Sequence, residues 1–350
     1  MNLLEISRTG AVLTAALNNP PFNFLTSALL DELHELLDEA DKSPQVRAIV
    51  LTSAVPEAFV SHYDITEILE GTSRVGLAVG PRLTGIGLRF VHALNRGTAM
   101  RRLLGRTPAA GILALLRYHD LVARMRRSDK VFVAAIDGMA LGGGCELALS
   151  CDIRLMADGP YTIGQPEILL DLMPGGGGTQ ILTRTIGAGR TLELALEGRP
   201  LTPTEAAEIG LIHRVVPPEA LAAEAALTAA RLSTRSPRSV KAIKDAVYRY
   251  GTGPLERGLA FERAQFLAMA SQPGTKAALG EYARLVQLHE QDGGSVAEFS
   301  ERYLPSLVAG EILHAAAQAV HTRGSQRANS IQSPRRLDKP VTDPGPGEAA

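Results

Sequence analysis

The chain has 350 residues, 45% of them apolar, enough to bury one large core, and one main domain with appendages is expected. Lysine and arginine (36) nearly balance aspartate and glutamate (37), which excludes a global field that would draw the protein to nucleic acid or an anionic membrane. The two cysteines, Cys145 and Cys151, supply neither a disulfide framework nor a Cys-x-x-Cys metal spacing, so a reducing compartment and no metal site are expected. In chain order, residues 3–6, 11–17 and 47–52 read as strands, and 27–41 as an amphipathic helix with leucines at three- and four-residue intervals and Thr26 as its cap. After a long stretch at 70–127 comes an apolar, β-branched run at 131–136, and then glycines that mark a strand-to-helix turn. Residues 203–209, 219–232, 236–250 and 254–270 each show helical periodicity, separated by Pro or Gly. Residues 296–320 still read as helical, whereas 322–350, rich in Arg, Ser, Pro and Gly, have no apolar period and are expected to be disordered. The opening Met1-Asn-Leu-Leu-Glu5 carries an acid, and no stretch reaches the roughly 18 apolar residues of a membrane span, so a cytoplasmic protein without a signal peptide is expected.

The chemistry concentrates in two glycine-bracketed segments, Ala140-Leu-Gly-Gly-Gly-Cys-Glu146-Leu-Ala-Leu-Ser-Cys-Asp152 and Gly164-Gln-Pro-Glu167-Ile-Leu-Leu-Asp-Leu-Met-Pro174-Gly-Gly-Gly-Gly-Thr-Gln180. Each carries one glutamate, a pattern that suggests two carboxylates serving one site. Unpaired N–H groups where a helix starts after Gly142 to Gly144 can receive developing negative charge. Cys145 and Cys151 both fall in that helical stretch and read as buried apolar filler.

These segments, with Ile136-Asp-Gly138 before them and Cys151-Asp-Ile-Arg154 between, resemble the enoyl-CoA hydratase/isomerase (crotonase) family, and its hydratases most closely. The resemblance runs over about residues 1–285 and implies an α/β fold, the ClpP/crotonase-like spiral of ββα units with a helical C-terminal region. On that basis residues 1–200 form the spiral core, with an inserted helical or loop region at about 70–127, 201–290 a helical trimerisation region, 291–321 an extra helical extension and 322–350 the tail. The resemblance also implies an acyl-CoA thioester as partner, a homotrimer or dimer of trimers, and no cofactor beyond the coenzyme A of the substrate itself. Hydration of a 2-enoyl thioester needs a base for water, an acid for the α-carbon and donors for the thioester oxygen. By the family match, Glu146 activates water, Glu167 delivers the α-proton, and the N–H groups of Gly143 and Tyr63 receive the oxygen. Tyr63 belongs to Ala58-Phe-Val-Ser-His-Tyr-Asp64, from which His62 and Asp64 are carried over as substrate-binding residues with Gly142, Pro166 and Gly175. Leu17-Asn-Asn-Pro-Pro-Phe-Asn23 matches the family's adenine loop and adds Asn19, Pro20 and Phe22.

Several positions depart from the family pattern. His62 stands where glycine is usual, so the turn must accept a side chain, and a positive φ there would carry a cost that glycine avoids. Asp171 replaces another glycine; facing the pocket it would raise the Glu167 pKa, facing solvent it would do nothing, and the solvated side is expected. One extra residue lies in Ala157-Asp-Gly-Pro-Tyr-Thr-Ile163, and Gly274-Thr-Lys-Ala-Ala-Leu-Gly-Glu-Tyr282 lacks the family's C-terminal acidic and Lys-Arg pattern. Between Asp64 and Lys130 the chain is roughly thirty residues longer than a typical hydratase, a lid or an added subdomain; its basic residues interleave with apolar ones, as in an amphipathic helix, and packing on the core is expected ahead of membrane or lipid contact. The leading expectation is an enoyl-CoA hydratase. The alternatives are double-bond isomerisation or another reaction through the same enolate, and, from a different class, a non-catalytic acyl-CoA-binding protein.

Overall fold

The computed structural model describes residues 2–73, 87, 110–316 and 318. Most of the inserted region at 70–127, and the whole tail at 322–350, lie outside the described residues. The chain divides into two compact units, Met1–Phe266 and Leu267–Ala350.

The first unit is built on a six-stranded sheet of Leu4–Thr9 (β1), Val12–Leu17 (β2), Ala48–Ser53 (β3), Val131–Ile136 (β5), Ile153–Ala157 (β7) and Arg214–Val216 (β9), in the order β1-β2-β3-β5-β7-β9. The β1–β2 pair is antiparallel and every later pair parallel. A second, parallel sheet contains Glu57–Val60 (β4), Gly138–Leu141 (β6) and Ile163–Gly164 (β8). Three times in succession the chain lays a strand in the large sheet and the next in the small one, β3 then β4, β5 then β6, β7 then β8. Helical chain follows each pair, which is the spiral of ββα turns that the motifs imply.

All six residues of β5 are buried because both faces of the large sheet are covered, as parallel sheets require. Phe132, Ala134 and Ile136 join the core shared with Ser27–Lys42 (α1), while Val131, Val133 and Ala135 join a core with Leu221–Ser233 (α8). Ala225 and Ala229, fully buried, let α8 lie close to the sheet. Thr26 caps α1 as expected, its hydroxyl accepting from Leu29 N at 3.2 Å.

Ile65–Ser73 (α2) follows β4, and Ala110–Arg127 (α3) leads into β5. Gly143–Ser150 (α4) follows β6, and a 3₁₀ turn, Glu167–Leu170, follows β8. Gly178–Ile186 (α5), Ala188–Glu197 (α6) and Pro203–Glu208 (α7) come next, and α8 is followed by Pro237–Asp245 (α9) and Leu255–Ala270 (α10). Buried Lys244 on α9 donates to Met125 O (2.8 Å), Lys130 O (2.9 Å) and Asp152 Oδ2 (2.8 Å), while Tyr248 donates to Asp152 Oδ1 (2.9 Å). This satisfied network ties the helical region to the strand ends beneath it.

The second unit contains Pro273–Gln291 (α11) and Val296–Ala309 (α12). Phe299 packs against Tyr282, His289 and Tyr303 with ring centroids 5.9, 5.4 and 4.9 Å away. Ser295 and Glu298 form a capping box at the start of α12. The stretch read as helical over 296–320 contains a break: Gly310 takes the left-handed conformation (φ 85°) and its N–H turns back to Leu307 O, before helix resumes at 311–316. Among the described residues no helix is long and apolar enough to cross a membrane.

Candidate active site

The turn after β6 sets the centre of the site. Gly142 caps α4 at φ 51°, a conformation that a side chain would strain, and its N–H donates to Gly164 O at 2.9 Å. Any side chain on Gly144 would overlap the Val60 carbonyl, so its absence lets α4 start against the end of β4. That approach brings the segment after β4 to the helix start: Tyr63 N lies 3.4 Å from the point a Cβ on Gly143 would occupy.

Tyr63 is aimed by its neighbours. Leu25 N donates to His62 O and Asp64 N donates to Leu25 O, both at 2.9 Å, so the intervening Tyr63 N–H points away from Leu25. Among the described residues neither this N–H nor that of Gly143, the first in α4, has an acceptor within the chain. Two amides without an acceptor among the described residues therefore lie close together at a helix N-terminus, where the macrodipole favours negative charge. The Tyr63 hydroxyl is held separately, donating to Glu67 Oε2 at 3.1 Å, and Ser27 Oγ donates to the same oxygen at 2.7 Å.

Glu146, one turn into α4, is only 2% exposed, and its Oε1 accepts from Gly176 N and Gly178 N at 2.7 Å each. Burial, with the charge of Glu167 adding to it, pushes its pKa up to about 7 against the opposing pull of the two amides. Glu167 opens the 3₁₀ turn and is half-buried, and burial raises its pKa as well. Its Oε1 lies 3.0 Å from the position a Cβ on Gly142 would take. The two carboxylates come from different ββα turns, Glu167 lying against Gly142 at the cap of α4 and acting by its charge on Glu146 within that helix. Among the described residues no group of three His, Cys, Asp or Glu side chains is placed to hold a metal ion.

The remaining sequence candidates divide. Phe24 bridges the early loop to His62, its ring 5.3 Å from Phe22 and 4.5 Å from His62, so Phe22 and His62 belong to one aromatic row. Asn19 N donates to Asn23 Oδ1 (2.9 Å) and Asn19 Nδ2 to Phe24 O (2.8 Å), while Pro20 stays exposed beside them. Asp64 Oδ1 accepts from Thr66 N (2.8 Å) at the start of α2. Pro166 precedes the 3₁₀ turn, and Gly175 is exposed, its carbonyl 2.7 Å from His119 Nε2.

Three expectations are corrected or resolved. His62 is not at positive φ; its ring Nδ1 bonds Tyr63 O at 2.7 Å, and the turn accepts the side chain without left-handed backbone. Asp171 is exposed and itself left-handed (φ 57°) at the end of the 3₁₀ turn, which is why glycine suits the position. Cys151 is the cap of α4 rather than part of it, although both cysteines are buried as expected.

Three residues gained no role from the sequence. Gln165 is fully buried, and with its amide nitrogen toward the carboxylate it donates to Glu167 at 2.8 and 3.1 Å. Asn23, also buried and at φ 53°, donates to Phe59 O (2.6 Å), Ser53 Oγ (3.0 Å) and Ala58 O (3.2 Å), fixing the early loop to β4. Tyr118 on α3 is buried and its hydroxyl donates to Gly143 O. Its inward orientation was readable from the helical spacing of Tyr118 with Leu121, Val122 and Met125, all buried.

The family model for enoyl-CoA hydratase/isomerase matches residues 7–78 and 94–289. The chain is 32% identical over 267 residues to the short-chain-enoyl-CoA hydratase of Clostridium acetobutylicum, covering 76% of this chain and 88% of that one. It is 34% identical over 265 residues to a probable enoyl-CoA hydratase of Mycobacterium tuberculosis, covering 75% and 87%. Among solved structures, the enoyl-CoA hydratase from Bacillus anthracis aligns with a TM-score of 0.65 at 27% identity, over 81% of this chain and 96% of that one.

Proposed function

Because the chain belongs to the enoyl-CoA hydratase/isomerase family, we propose that it adds water reversibly across the α,β double bond of a 2-enoyl-CoA thioester. The observation that supports this reading is that Glu167 lies against Gly142 and its charge acts on buried Glu146, with Tyr63 N close to Gly143 at the start of the same helix. The two amides receive the thioester oxygen as the β-carbon is attacked and negative charge moves onto that oxygen. One such donor is worth about 2.7–4 kcal/mol of transition-state stabilisation.

Glu146 Oε1 is occupied by two backbone amides, which favour its ionised form and leave Oε2 for water. Glu146 takes one proton from the water as its oxygen bonds to the β-carbon, and the π electrons pass toward the thioester. Glu167, whose pKa burial raises and whose carboxyl Gln165 holds, gives its proton to the α-carbon. Atoms balance as one water added, and the two carboxyl groups exchange protons before the next turn. The aromatic row of Phe22, Phe24 and His62, with Asn19 and Pro20, is the surface we assign to the coenzyme portion of the substrate, and no further cofactor is needed.

Incubation with crotonyl-CoA in deuterated water tests this reading. Hydration gives a product heavier by one water, with one carbon-bound deuterium at the α-position. Double-bond movement without mass gain from water identifies isomerisation instead, and binding without any change identifies an acyl-CoA-binding role.

A further inference from the structure

We propose that Tyr118 is a positioning residue, whose single buried side chain holds the Gly143 donor turn in fixed relation to the Gly176 amide that anchors Glu146. The inference rests on the hydratase reading above. Its basis is the face that α3 turns to the two glycine segments. Leu115 Cδ1 lies 3.7 Å from the point a Cβ on Gly175 would reach, and His119 Nε2 is 2.7 Å from the Gly175 carbonyl. Tyr118, between them on the same helix face, goes deeper and is 2% exposed.

Its hydroxyl donates to the carbonyl of Gly143, the residue whose N–H is one of the two donors. A carbonyl oxygen has two lone pairs, so this bond adds to the helical one and pins the first residue of α4 from the side of the site. The Tyr118 ring also covers Gly176. A Cβ on that glycine would overlap both the ring and Glu146 Oε2, so the ring edge and the free carboxylate oxygen flank the same small volume. Gly176 N meanwhile donates to Glu146 Oε1. One phenol therefore touches the donor turn at its hydroxyl and the Glu146 anchor at its ring, and no other described side chain bonds the Gly143 carbonyl. Such a tie acts on geometry: small displacements of aligned groups lower the rate without weakening the grip on a substrate held mostly elsewhere.

The test compares wild type with Tyr118→Phe, which keeps the ring and its packing, and Tyr118→Leu, which keeps burial only. Two readouts are used: kcat and KM for crotonyl-CoA, and the absorption of a bound 3-aryl-2-enoyl-CoA, which moves to longer wavelength as its carbonyl accepts stronger hydrogen bonds. The expected result is a kcat about tenfold lower in Tyr118→Phe, the effect of one neutral hydrogen bond, with KM little changed and a smaller spectral shift. Tyr118→Leu should lose about a further tenfold through the freed Gly176 segment. Wild-type kcat and wild-type spectral shift in Tyr118→Phe would overturn the inference while leaving the hydratase reading in place, as would a loss confined to thermal stability. If wild type binds the aryl thioester with a shift but hydrates nothing, the hydratase reading fails and the spectral comparison alone decides Tyr118. A wild type that produces no shift overturns both.

Discussion

Glu146→Gln should make the protein more stable at neutral and alkaline pH while removing its activity. The glutamate is 2% exposed and its pKa is raised from 4.5 to about 7, chiefly by burial. A carboxyl whose pKa is higher in the folded than in the unfolded chain binds its proton more tightly when folded, so ionising it costs folded-state stability. Below about pH 4.5 both states are protonated and there is no penalty. The cost grows between 4.5 and 7 and is complete above 7. At about 1.4 kcal/mol per pH unit, it reaches about 3 kcal/mol. Glutamine keeps an acceptor oxygen for the Gly176 and Gly178 amides but carries no charge to desolvate. Urea unfolding at fixed protein concentration, at pH 4.5 and pH 8, measures the difference between the two proteins. The variant should match wild type at the lower pH and exceed it by up to about 3 kcal/mol at the higher. A difference that does not change with pH, or a variant that is weaker at pH 8, would refute the reasoning that Glu146 is a buried acid kept for chemistry at the expense of stability.

Gly142→Ala would place a Cβ 3.0 Å from Glu167 Oε1 at a backbone φ of 51°, so it should lower stability by about 1–2 kcal/mol and reduce kcat, read by thermal unfolding and initial rates. Lys244→Ala leaves the Asp152 carboxylate without its cation among buried groups and should cost about 3–5 kcal/mol in urea unfolding, far from the glutamates. Asp171→Gly relieves a left-handed aspartate on an exposed turn; the expected gain is up to about 1 kcal/mol, with kcat unchanged because the side chain faces solvent.

What could be read in advance was whatever one stretch of chain settles by itself. The continuous apolar run at 131–136 declared a strand, and the glycines after Leu141 declared a turn into a helix whose fourth residue is Glu146. Thr26 was legible because capping is local. The parts that were missed depend on approach between distant segments. Tyr118 meets Gly143 across 25 positions and Asn23 meets Phe59 across 36, and nothing in the local pattern of either residue names its partner. His62 shows the limit from the other side: the glycine usual at this position in the family suggested a strained turn, but pairing with Leu25 on one side and a ring contact with Phe24 hold it in ordinary backbone. The helical character read at 296–320 is present in Val296–Ala309 and 311–316, but apolar spacing does not register the break at Gly310 between them.

The most direct test follows the ultraviolet absorbance of the conjugated enoyl thioester, with crotonyl-CoA and a longer 2-enoyl-CoA, in wild type beside Glu146→Gln and Glu167→Gln. Wild type should consume the absorbance, and either substitution should slow it by about 100-fold or more, the usual weight of a positioned acid or base. Binding of both thioesters without loss of absorbance in wild type, or hydration that survives both substitutions, would contradict the assignment of Glu146 and Glu167 as the pair that handles water and proton.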